Sequence, residues 1–222
     1  MDQEIREIVR KNTSKGDHVE DLSPMDPPSA YEPPGAGLSV PYEEMHPYLK
    51  RLRDEHIICM SELADFEACL NTITQQGPSE NTDAVLNGFF GFVERVLLPH
   101  NQREEVELFG LLEERLLSSG EHSTSAIPGA KVSTAVDLMK SDHLQYLQIS
   151  AVMTNFFGIS KRLPDEQSRL YVLDAAVRQG RKLIEDLKLH IFREDEVLFS
   201  LAHNLIKPEE FDQMARLGHR AE

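Results

Sequence analysis

Four stretches of the chain space their apolar residues at alternating steps of three and four, and each carries one histidine inside that apolar row. The first row is Met45, Leu49, Leu52, His56, Cys59, Leu63, Phe66, Leu70 and Ile73. The second is Val85, Phe89, Phe92, Val96, His100, Glu104, Leu108 and Leu111. Val132, Val136, Met139, His143, Leu147, Ser150 and Met153 make the third. The fourth is Leu173, Ala176, Gly180, Leu183, Leu187, His190, Glu194, Val197 and Leu201. A period near 3.6 puts such a row on one side of an α-helix, so the pattern predicts four long helices facing a common interior. Gly77-Pro78 stops the first, and Ser79 or Asn81 caps the second. A Gly- and Ser-bearing loop over 118–129 precedes the third, and Pro164-Asp165-Glu166 opens the fourth. No strand-like alternation of useful length appears. The expected fold is all-α, an up-down-up-down four-helix bundle over residues 45–205.

The flanks differ in kind. Residues 1–44 read as an arm: a short amphipathic segment over 1–15, then a Pro-rich extended stretch in which Pro24, Pro27, Pro28, Pro33, Pro34 and Pro41 leave little room for packed structure. Tyr31, Leu38 and Tyr42 are the residues that would lie along the bundle if the arm packs. Residues 206–222 are expected to hold a short helix starting at Pro208. The formal net charge of -15 argues against contact with nucleic-acid backbones or anionic membranes. No apolar run is long enough to span a bilayer and no signal segment is evident. The two cysteines, Cys59 and Cys69, fall ten apart on one predicted helix and point different ways, which disfavours a disulfide or zinc knuckle. A cytoplasmic setting is expected.

The helices also contain a repeated phrase. Residues 100–109 read HNQREEVELF and residues 190–199 read HIFREDEVLF. In each, His and Glu stand at i and i+4, so both side chains share a helix face. A buried carboxylate is costly unless paired or bound to a metal, and a buried imidazole needs a partner. The six residues His56, His100, Glu104, His143, His190 and Glu194 therefore form the predicted metal set. If both glutamates and an oxo or hydroxo group bridge two first-row ions, each six-coordinate ion keeps about one open position for a small molecule. Imidazole and carboxylate donors without thiolate favour iron, with manganese as second choice, over structural zinc. His56 and His100 stand at about equal distances from the first turn, and so at one height. His143 and His190 do not, which calls for a longer connection or an irregularity at Gly180.

The neighbouring acids Glu105, Glu107, Asp195 and Glu196 are expected on solvated faces or paired with Arg103 and Arg193, with the role of outer partner to a metal ligand as the alternative. Pro99 is expected to kink the second helix. His18, His46, His122, His203 and His219 lie off the rows and read as surface residues.

The order of lone His56, His100-x-x-x-Glu104, lone His143 and His190-x-x-x-Glu194 resembles the hemerythrin-like HHE cation-binding domain family, over roughly residues 45–205. The phrases EEVELF and EDEVLF are similar to that family as well. The resemblance implies a non-haem centre of two iron ions inside a four-helix bundle, with dioxygen, peroxide or nitric oxide as the small ligand. Oxygen-carrying members have a further histidine where this chain has Leu147, and their last ligand is an Asp at a longer spacing, whereas here it is Glu194. The site thus resembles the four-His, two-Glu type. Iron-centre repair members carry a cysteine-bearing N-terminal domain, and residues 1–46 contain no Cys. Ferritin-like sites use Glu-x-x-His pairs, and the one such pair here, Glu43 to His46, adjoins Pro47 outside the rows.

Three functions are expected from these features: binding of a small oxidant in sensing, storage or detoxification; turnover of peroxide or nitric oxide, with Tyr146 as the candidate proton donor; or a metal-stabilised interaction module whose Pro-rich arm binds a partner protein. A homodimer is compatible with each.

Overall fold

The computed structural model describes residues 40–123 and 133–218, and every regular element among them is helical. Helix α1 is Pro47–Gln76. Helix α2 covers residues 80–119 in five consecutive segments: Glu80–Phe92, a π-helical turn Val93–Leu97, Leu98–Arg103, a second π-helical turn Glu104–Leu108, and Phe109–Ser119. Helix α3 is Ala135–Ser160. Helix α4 covers 166–205 as Glu166–Arg193, a π-helical turn Glu194–Leu198, and Phe199–Leu205. A short α5, Pro208–Gly218, comes next, and a 3-10 turn at Tyr42–Glu44 precedes α1. The amphipathic segment over 1–15, Tyr31 and Leu38 lie outside the described residues.

Local chemistry explains the boundaries. His46 precedes Pro47 and its Nδ1 accepts the Tyr48 N–H, while Gly77 ends α1 at φ 82°. Ser79 and Thr82 cap α2 reciprocally, as Thr134 and Asp137 cap α3. Asp165 accepts the Ser168 N–H at the start of α4.

Cross-helix contacts form descending ladders. Between α1 and α2, Tyr48 meets Glu107, Glu55 meets His100, and Phe66 stacks on Phe89. Between α3 and α4, Asp142 meets Arg193 and Gln145 meets Asp186. Between α2 and α3, Glu113 meets Lys140 and Glu105 meets His143. Between α4 and α1, Glu196 meets Arg53 and Lys188 meets Glu67. The result is an all-helical bundle with its apolar interior in two clusters. One spans Cys59 to Ile73 of α1 with Met153, Phe157 and Leu183. The other joins Leu49 and Leu52 to Leu108, Leu112, Met139, Leu198 and α5 residues Phe211 and Met214. Between them lies one buried polar layer containing His56, His100, Glu104, His143, His190 and Glu194.

All nine residues of the predicted α1 row are buried, but the other rows need correction. A π-turn inserts one residue and rotates the remainder of the helix by about 100°. After Glu104–Leu108 the buried residue is Leu112, not Leu111; after Glu194–Leu198 it is Ala202, not Leu201. Leu97 likewise replaces Val96 within the first π-turn. That turn also resolves Pro99. The Leu98 N–H bonds to Val93 O five residues back, widening the helix where proline would otherwise strain it. In α3 the row passes through Tyr146, and Leu147 is 46% exposed.

The height mismatch in the second pair has no irregularity at Gly180. It is absorbed by the first turns of α4, where Glu166, Gln167, Arg169, Leu170 and Tyr171 are exposed. Gly180 has a different function, as a point of close approach. A Cβ there would stand 2.7 Å from Leu70 Cδ1 and 3.1 Å from Phe66 Cζ. Exposed Gly88, by contrast, meets nothing within 4 Å. Gly180→Val is expected to lower stability by about 1–3 kcal/mol through overpacking. Gly88→Ala should raise it by about 0.5–1 kcal/mol through backbone entropy. Thermal melts of the two variants check both signs.

Candidate metal centre

The structure brings all six predicted side chains together in the polar layer, each almost fully enclosed. They form two facing pairs. His56 Nε2 lies 3.1 Å from His100 Nε2, and His143 Nε2 lies 3.2 Å from His190 Nε2. The carboxylates sit between the pairs. Glu104 places Oε1 3.4 Å from His100 Nε2 and Oε2 3.6 Å from His143 Nε2. Glu194 Oε2 is 3.3 Å from His56 Nε2 and 3.2 Å from His190 Nε2. Each glutamate thus faces both pairs, the placement a bridging carboxylate needs. Donor atoms of His56, His100, Glu104 and Glu194 lie within 4.8 Å of one another, as do those of His143, His190 and Glu194.

Whether this set suits a cation can be tested on its polar atoms. Both oxygens of Glu104 and both of Glu194 are buried without a hydrogen-bond donor, and both residues are 0% exposed. A proton shared within a histidine pair would point at the other nitrogen and leave these oxygens bare. Two donors about 2.1 Å from one ion and at right angles stand about 3.0 Å apart, close to the Nε2–Nε2 spacings seen. Several kcal/mol per uncompensated buried carboxylate is the usual penalty, and cations remove it. The residues fit metal ions.

The local field has the same sign. Burial disfavours charge on His56, yet Asp195 and Glu194 overcome it and raise its pKa to about 9. His100 is raised to about 10 against burial by Glu104 and Glu55, and His190 to about 10 by Glu194 and Asp142. Burial pushes the Glu194 carboxyl up, but His190 and His56 outweigh it and hold it well below the usual carboxylate range. The layer favours positive charge, whether proton or metal.

The family described as the Hemerythrin HHE cation binding domain matches residues 48–202, well over half of the chain. The chain belongs to the hemerythrin HHE family. No curated protein matches it.

Around the polar layer of this hemerythrin-family bundle runs a second set of acids. The Nδ1 atoms that face away from the centre meet carboxylates: Glu55 for His100 at 2.6 Å, Glu105 for His143 at 2.8 Å, Asp195 for His56 at 2.8 Å, and Asp142 for His190 at the longer 3.5 Å. Carboxylates only accept, so Nδ1 carries the proton in the short contacts and Nε2 is left to face the centre. The four contacts close a ring: α1 gives Glu55 to α2, α2 gives Glu105 to α3, α3 gives Asp142 to α4, and α4 gives Asp195 back to α1. Arg103 braces Glu55, Arg193 reaches Asp142, and Arg53 reaches Asp195.

For Glu105 and Asp195 the second of the two expected roles holds, as partners of the row histidines. Arg103 and Arg193 serve Glu55 and Asp142, while Glu105 and Asp195 serve histidines. Glu107 accepts from the Tyr48 hydroxyl and Glu196 from Arg53. Sequence reasoning missed Glu55 and Asp142, although each immediately precedes a row histidine, in DEH and SDH. His46 is not an ordinary surface residue: it caps α1 and stacks on Phe211 at 4.9 Å. His18 and His219 lie outside the described residues. Tyr146 packs edge-on against His190, but its hydroxyl donates to the Asp186 carbonyl, and burial, Asp142 and Glu194 raise its pKa. That proton is committed elsewhere.

Adjacent acids allow a clean comparison. Asp195→Asn should weaken metal affinity by about 10–100-fold, the usual effect of losing a ligand's outer partner. Glu196→Gln, one residue on and off the histidine, should change it little. Competition against a chromophoric chelator measures both.

Proposed function

We propose that this chain holds two iron ions between its facing histidine pairs and that a small oxidant binds or reacts there. The four-helix core, with α1 to α4 running up-down-up-down as the contact ladders suggest, is the scaffold, and the segments before residue 45 and after 205 are appendages. The carrying observation is that Glu104 and Glu194 each face both pairs while all four of their oxygens lack a donor. Four imidazoles and two shared carboxylates are a donor set for two ions, and hard oxygen plus imidazole nitrogen favours iron or manganese.

When bound, such a pair supplies redox chemistry and an open coordination position for dioxygen, peroxide or nitric oxide. The protein's own side chains do the rest. Glu55, Glu105 and Asp195 fix three imidazole planes through Nδ1 and increase their donor strength. Phe199 and Phe109 stack on His56 and His143, at 5.6 Å and 5.7 Å between ring centres, excluding water on that side. Tyr146, the proton donor that the sequence suggests, is committed to a carbonyl, which favours binding, sensing or storage over turnover. Both cysteines are free and buried, which suits the proposed reducing, cytoplasmic setting.

A purely structural metal in an interaction module is the competing role. Apolar clusters on both sides of the layer speak against it, because they hold the helices without help from the centre. Chelated protein is therefore expected to keep its helical circular dichroism and to melt at a lower temperature than iron-loaded protein. Collapse of helicity on chelation would make the metal structural. Anaerobically loaded protein should carry two irons per chain and change its absorption spectrum with dioxygen or nitric oxide. His100→Ala and His190→Ala should each carry less iron, and wild-type iron levels in both would remove them from the ligand set.

A further inference from the structure

The two histidine pairs come from a repeated phrase, yet they are not equally prepared to receive an ion. The difference begins with the glutamates. Donor atoms of His56, His100, Glu104 and Glu194 all lie within 4.8 Å of one another, whereas His143 and His190 form such a set with Glu194 alone. Glu104 approaches His143 at 3.6 Å without joining that set.

The outer acids differ in the same direction. Glu55 meets the Nδ1 of His100 at 2.6 Å and is itself held by Arg51 and Arg103. Asp195 meets the Nδ1 of His56 at 2.8 Å and pairs with Arg53. Across the layer, Glu105 meets His143 at 2.8 Å but is 43% exposed, and no Lys or Arg pairs with it among the described residues. Water competes for such a group and weakens its hold. Asp142 stands 3.5 Å from His190, whose Nδ1 is buried without a hydrogen-bond partner. One pair therefore has both imidazoles fixed by braced carboxylates. The other has one imidazole on a half-exposed acid and one with no hydrogen bond at Nδ1. Donors already converged and oriented bind an ion with less ordering cost than donors that must first be aligned.

We infer that the two ion positions have unequal affinities: the one between His56 and His100 fills first, and the one between His143 and His190 is the weaker, exchangeable position. The first ion also offsets the charge of Glu104 and Glu194, which face both pairs, so a second cation enters a less negative field. A ligand's outer partner is worth about 10–100-fold in affinity, so the two steps should lie at least about tenfold apart. At limiting metal the chain holds one ion, and the pair forms only as supply rises. Metal availability thus selects whether two-ion chemistry is present at all.

The inference rests on the two-iron reading, and its test separates the two. Iron-free chain is titrated anaerobically with Fe(II) by calorimetry, and iron per chain is measured at saturation. Two resolved steps are expected. His143→Ala should keep the tighter step and lose the weaker, and His56→Ala should lose the tighter. Glu55→Gln should weaken the tighter step by about 10–100-fold. Asp142→Asn should move the weaker step, and by less, because its contact is long. Circular dichroism of each iron-free variant checks its helices, and the two acid variants carry the test if a histidine variant fails to fold. Two irons bound with equal affinity, or a tighter step lost in His143→Ala or weakened more by Asp142→Asn than by Glu55→Gln, overturns the inference and leaves the two-iron centre standing. Saturation of wild type at one iron per chain, or none, overturns the centre and this inference together.

Discussion

Two glutamates buried to zero exposure in the middle of a helical bundle set the terms for everything around them. Without counter-charge, Glu104 and Glu194 would each cost several kcal/mol, enough to threaten a domain of ordinary stability. The four histidine nitrogens answer that cost only in part, since they approach the oxygens at 3.2 to 3.6 Å without donating to them. Positive charge supplies the balance, as protons on the histidines or as the metal ions this donor set fits. The apolar clusters above and below make this tolerable, because they supply the packing that the polar layer cannot.

The ring of outer acids answers a different problem. A histidine in an apolar row can rotate about two bonds, and a useful centre needs its Nε2 held inward. Each helix solves this for its neighbour by offering one carboxylate to the neighbour's Nδ1, and arginines hold three of those carboxylates in turn. Orientation of the inner nitrogens is thus fixed by groups at the bundle surface. The longer Asp142–His190 contact leaves one corner less tightly held than the other three.

Much of this was legible in the sequence. Periodicity alone located four helices and every row histidine, because a heptad-like pattern survives any detail of packing. The π-turns were not legible. An i+5 hydrogen bond leaves no compositional mark, and the apolar residues after Glu104 and Glu194 come in clusters (Leu111-Leu112 and Leu201-Ala202) that fit either phase. The result was a row shifted by one residue on the far side of each glutamate. Glu55 and Asp142 were missed for another reason: an acid next to a row residue looks like the edge of a solvated face. Only the angle between neighbouring helices turns it toward the next helix's imidazole. Tyr146 over Leu147 obeys the same logic, since both fit the period and the direction of the helix decides.

The outer ring has no first or last member, although the chain does. Every carboxylate–imidazole contact in it joins neighbouring helices around the circumference, and the α4-to-α1 contact is as short as those of Glu55 and Glu105. The centre therefore depends on the cyclic order of the helices and not on which helix comes first in the chain. The turn at Gly77 or the connection at 161–165 could in principle be cut without removing a residue that contacts an inner histidine. Ancestry by doubling of a helix pair, or a related chain beginning at another helix, would preserve the same constellation.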